Sequence, residues 1–150
     1  MFSKEESKTI RKEFWVAFGK MSKARNKKQW LLYNTNIKDV SLKFNADNKT
    51  CSVSIDIEFR NGIKRHSFFN KLLSLQTVFD AKFENGLIWE KDCVLDNNKT
   101  ISRVFYQLEN VNIYRKEDWS QMFKFLFKNM TKLESLFIEY DEIIKEYFIS

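Results

Sequence analysis

Four carboxylates fall where alternation would bring them to one face of a sheet: Asp56 and Glu58 in one run, Glu90 and Asp92 in another. Clustered carboxylates can hold a magnesium ion, because hard cations take oxygen ligands and the bound metal activates water for phosphodiester cleavage. A catalytic site of that kind would use Glu13, Asp56, Glu58 and Glu90, with Mg as its cofactor. It usually also needs an acid-x-lysine run. The nearest matches are Glu58-Phe59-Arg60, where arginine replaces lysine, and Asp80-Ala81-Lys82, which the periodicity places on a helix. The preferred reading of these acids is therefore the commoner one, polar residues alternating on a solvated outer sheet face.

Other catalytic patterns are missing. Gly19, Gly62 and Gly86 stand alone, which excludes a glycine-rich phosphate loop or a nucleophile elbow. His66, the one histidine, follows Lys64 and Arg65 and reads as a surface residue near a helix start rather than a general base. Cys51 and Cys93 lie on the apolar parity of strand-like runs, where cysteine behaves as a small hydrophobe. With one His and two Cys, a closed zinc site lacks a fourth ligand unless a carboxylate serves, so no metal is assigned.

The charge points elsewhere. The net charge is +6 at pH 7, and the excess is N-terminal: residues 1 to 50 hold twelve Lys/Arg against five Asp/Glu. Lys20, Lys23, Arg25, Lys27 and Lys28 form its densest part, with no acid between them. Such a field attracts polyanions, and Trp15, Trp30 and Tyr33 lie close enough to stack on the bases of a single strand. Trp and Tyr at these spacings are more often core.

These residues must be positioned by a definite set of elements. Ser3 and Glu6 form a capping box that starts a helix, whose buried stripe is Ile10, Phe14, Ala17, Phe18 and Met21. Val40, Leu42, Phe44 and Ala46 alternate, as do Cys51, Val53, Ile55, Ile57 and Phe59, which predicts a hairpin around Asp47-Asn48-Lys49. The dry faces of its two strands coincide if Ala46 faces Cys51 across a four-residue loop, or Lys49 across a tight turn. Phe68 or Phe69, Leu72, Leu75 or Gln76, Phe79 and Phe83 predict a second helix, closed by Asn85-Gly86. Leu87, Trp89, Cys93 and Leu95 alternate again. A tight turn at Asn97-Asn98 would set Leu87 opposite Leu108 and Trp89 opposite Tyr106.

From Asp118 to Phe148 the apolar residues recur at helical spacing, among them Leu126, Met130, Leu133, Phe137, Tyr140 and Ile144. As one rod this segment would be about 45 Å long, so it either kinks or is covered in part by a partner. Lysines fill its first half and acids its second, so two copies packed antiparallel would match opposite charges. That makes this stripe the candidate surface for a homodimer. The alternative is a helix folded on its own sheet.

The fold class is thus α+β: an N-terminal helix and two ββα units, a mostly antiparallel sheet with helices packed on it, and a long C-terminal helix. Residues 1–150 are expected to make one domain with an aromatic core, given fifteen Phe, five Tyr and four Trp. Proline is absent and glycine occurs three times, so turns must use Asn and Asp. No stretch suits a signal peptide or a membrane span, and a cytoplasmic location is the default.

At Arg11-Lys12-Glu13-Phe14-Trp15, Leu87-Ile88-Trp89-Glu90 and Asp118-Trp119, in this order, the chain resembles the bacterial DUF4268 family over nearly its whole length. The resemblance implies a domain of uncharacterised role, one whose relatives stand alone or follow nuclease-like domains in restriction or defence components. A distant relation to restriction-endonuclease-like proteins would make the acids those of a metal-dependent nuclease or its inactive descendant. The reading favoured by the residues is a non-enzymatic module that binds a protein partner or nucleic acid through the region from Lys20 to Lys28.

Overall fold

The computed structural model describes residues 2–27 and 29–149, with the side chains of residues 147–149 left undescribed. Helix α1 (Lys4–Ala24) opens on the capping box: the Ser3 hydroxyl accepts from the Glu6 amide, and the Glu6 carboxylate accepts from the Ser3 amide. Strands β1 (Val40–Ala46) and β2 (Thr50–Ile57) pair with Ala46 opposite Cys51. This is the four-residue loop that lets the dry faces coincide. Asp47 closes it, its carboxylate accepting from the amides of Lys49 and Thr50 at 2.8 Å each.

Asn61 caps α2 (Gly62–Leu73), accepting from the amides of Ile63 and Lys64. A single helix through Phe83 does not form. The chain breaks at Ser74-Leu75, resumes as the short α3 (Gln76–Asp80), and turns at Asn85 and Gly86, both at positive φ. Phe68, Leu72, Phe79 and Phe83 are nonetheless all buried, because the break re-aims the last two at the same core.

The second hairpin, β3 (Ile88–Val94) and β4 (Thr100–Glu109), departs from the expected register. Its turn spans Asp96–Asn98 with Asn98 at positive φ, and a bulge lies between Glu90 and Cys93. Trp89 therefore pairs with Val104 rather than Tyr106, two residues along, so its face is kept. Cys93 pairs with Ile101 and moves to the outer face, opposite to its expected parity.

All four strands are antiparallel in the order β1-β2-β4-β3. After Ile113 a short 3-10 turn (Lys116–Asp118) leads into α4 (Trp119–Glu139), which crosses the sheet over β2. The continuous rod to Phe148 does not occur. Tyr140 ends α4, and α5 (Asp141–Ile149) packs against α2. The long segment thus kinks, and Ile144 is buried by doing so. Helix α1 lies beside α4 on the same side of the sheet, its Phe14 and Phe18 meeting Trp119, Phe123 and Phe44 at ring separations of 4.9–5.7 Å. No helix among the described residues is long and apolar enough to cross a membrane.

Candidate functional site

The helix-free face of the sheet carries a network of ions instead of a solvated row of polar groups. Asp56 is fully buried although it points away from the helices. Arg103 grips it with two hydrogen bonds, Nε to Oδ1 at 2.8 Å and Nη2 to Oδ2 at 2.9 Å, and the Ser54 hydroxyl donates to Oδ1 at 2.8 Å. Lys43 lies 3.7 Å from Asp56 and donates to Glu58, whose other oxygen accepts from Lys99 at 3.0 Å. Burial pushes the Glu58 carboxyl up, but the hydrogen bonds from Lys99 and Lys43 outweigh it and hold the group below its ordinary value. The long stems of Lys43 and Arg103 cover the central strand and keep water off Asp56.

Each carboxylate oxygen of Asp56 and Glu58 accepts a hydrogen bond from a cationic side chain. Asp92, expected beside these acids, is moved by the bulge in β3. It instead accepts from Arg65 of α2 at 2.6 Å and meets His66 at 2.8 Å. Hydrogen bonds from His66 and Arg65 lower the Asp92 carboxyl below its ordinary value. Glu13, on α1 and so on the helix side of the sheet, is ion-paired with Lys116 at 3.6 Å. Glu90 pairs across the sheet with Arg103, on the face of Asp56 and Glu58, whereas Glu13 lies on the other side; among the described residues no three His, Cys, Asp or Glu could hold one metal ion. The Asp80-Ala81-Lys82 run is also spoken for: Asp80 accepts from the Leu87 amide at 2.9 Å and from the Trp89 indole N–H at 3.0 Å. Burial raises both thiols, that of Cys51 to about 12, which leaves neither a ready nucleophile.

The basic cluster resolves into two kinds of residue. Lys20 and Lys23 are exposed on α1 and form no ion pair among the described residues. Arg25 lies over the Phe127 ring at 5.4 Å, and Lys27 lies over Trp30 at 4.8 Å while ion-paired to Glu134 of α4. Lys28 lies outside the described residues. Glu134, nearly buried, also accepts from the Leu31 amide at 2.6 Å. It clamps the segment after α1 from both ends, a role its place among the acids of the C-terminal half did not signal. Trp15 and Trp30 are half-buried against Phe18 and Phe44, as core aromatics would be. Tyr33 is different: it is 72% exposed.

The stripe expected to make a homodimer is occupied within the chain. Leu126, Met130, Leu133, Phe137 and Ile144 are buried, and Tyr140 is half-buried against Phe79. In the single chain α4 thus lays this apolar stripe on its own sheet.

Comparison with known proteins gives one result. Residues 10–141 match the model of a family described as a domain of unknown function, DUF4268. No curated protein and no solved structure matches the chain.

Proposed function

Since the chain belongs to the DUF4268 family, whose description assigns no function, we propose a role from its own residues: a non-enzymatic cytoplasmic module that binds nucleic acid through the exposed basic side of α1. The observation that carries this reading is the unequal use of charge. Lys43, Lys99 and Arg103 are committed to Asp56 and Glu58. Lys8, Lys12, Lys20 and Lys23 are exposed and in no ion pair among the described residues. At 3.6 residues per turn, Lys8, Lys12 and Lys23 fall within about 60° of one another, with Lys20 adjacent. A row of unneutralised cations on a rigid helix suits a phosphate backbone, from which each contact releases condensed counterions.

The test is binding of a labelled DNA oligomer followed by fluorescence anisotropy across a salt series. The apparent affinity is expected to fall with salt, and the Lys20→Ala/Lys23→Ala double variant to flatten the log–log slope by about two. Affinity indifferent to salt, or unchanged in the double variant, overturns the reading in favour of a partner with other chemistry.

A further inference from the structure

The segment that Glu134 holds in place ends in a turn with an unusual backbone. Leu32 has φ 41°, a left-handed conformation that branched side chains rarely adopt and that persists only where surrounding contacts enforce it. Those contacts are visible. The Leu31 amide donates to Glu134, the Asn34 amide donates to the Leu31 carbonyl at 2.8 Å, and the Leu42 amide of β1 donates to the Leu32 carbonyl at 3.0 Å. The turn is thus tied to α4, to itself and to the sheet edge. What it presents is Tyr33, the most exposed aromatic ring among the described residues.

Behind Tyr33 lies an apolar notch of about 280 Å³, walled by Trp15, Leu32, Leu42, Phe44 and the stem of Lys43. The Lys43 ammonium is 6.0 Å from the Tyr33 ring centre, but it is held by Glu58 and Asp56 and is not free for a ligand. Of these walls Trp15 belongs to α1, whose exposed lysines Lys12 and Lys23 form no ion pair among the described residues. Lys12 lies one turn before Trp15 and Lys23 two turns after it, on the side of the helix that Trp15 shares. An apolar slot with an exposed ring, beside a helix that carries exposed lysines, is complementary to a planar base on a phosphate-bearing strand. A buried apolar side chain of a protein would fill the slot but leave the lysines without a purpose.

We infer that this notch takes one unpaired base of a single-stranded nucleic acid, stacked on Tyr33, while the lysines of α1 meet phosphates further along the same strand. The inference rests on the reading of α1 as a polyanion surface and adds the form of nucleic acid that it selects. Bases in a duplex are already stacked and cannot enter, whereas a single strand offers a face at every residue.

The experiment compares three labelled probes at one salt concentration: a deoxythymidine oligomer, an abasic deoxyribose-phosphate oligomer of equal length, and a duplex. The thymidine oligomer is expected to bind about tenfold tighter than the abasic one, within the range that one stacked base contributes. Tyr33→Ala should erase that preference while leaving the salt dependence, and Tyr33→Trp should keep it. Equal binding of the thymidine and abasic oligomers, tighter binding of the duplex, or a preference that survives Tyr33→Ala overturns the inference and leaves the basic helix standing. Absence of salt-dependent binding to any of the three overturns both readings.

Discussion

Glu134 illustrates how one side chain can organise a loop. It is nearly buried, and its two oxygens hold the Lys27 ammonium and the Leu31 amide. Glu134→Ala removes both and leaves the half-buried Leu31 N–H without its acceptor. Such a loss costs about 1–3 kcal/mol, and thermal unfolding of the variant should report it, together with the loss of any single-strand preference that depends on Tyr33. Glycine at position 19 has the opposite prospect: a methyl group there meets nothing within 4 Å. It sits inside α1, so Gly19→Ala should stabilise the protein by about 0.5–1 kcal/mol, read as a raised Tm. The acids also set a pH dependence. Glu58 and Asp92 have lower values in the fold than their ordinary ones, so the unfolded chain takes up protons first on acidification. Their contribution is therefore complete above the ordinary carboxylate range and is lost as the pH falls from about 4 through the lower folded values. The Tm of Glu58→Gln should lie below that of the native protein at pH 6, and the gap should narrow as the pH falls below the ordinary carboxylate range.

At the level of elements, the kink at Tyr140 decides how the C-terminal end is used. Bending α5 onto α2 buries Ile144 and sets Tyr140 against Phe79 at 6.1 Å. Ile144→Ala should cost about 2–4 kcal/mol, and hydrogen exchange should show α5 opening before α4. The spacing of Trp119 through Ile144 discloses a helical stripe but not this bend, since neither proline nor glycine marks it and only tertiary packing requires it. The first hairpin was legible down to two registers, because alternation on both strands admits few loop lengths, and the fold takes the one with Ala46 opposite Cys51. The second was not: its bulge falls at Lys91 and Asp92, between Glu90 and Cys93, and nothing local distinguishes a bulged strand from a regular one there. That single extra residue moved Asp92 away from the other acids. Burial of Asp56 on a face without a helix was equally hidden, because it depends on Arg103, 47 residues away along the chain.

For the whole molecule, the helices lie on one side of the sheet and the ion network on the other, so the fold spends its apolar stripe and its sheet acids internally. Leu126→Ala should lower stability by about 2–5 kcal/mol, by the same amount at every protein concentration, because that residue is buried in its own chain. The basic residues of α1 were plain in the composition. Their division into Lys20 and Lys23, exposed, and Arg25 and Lys27, laid on rings, required the positions of Phe127, Trp30 and Glu134. Turns built on asparagine carry one more consequence. Asn26, Asn36, Asn85, Asn98 and Asn110 all adopt positive φ, and the chain contains no proline at all. Every unfolded molecule therefore starts from the same peptide-bond isomers, and double-jump refolding should lack the phase of tens of seconds that prolyl rotation imposes on other domains.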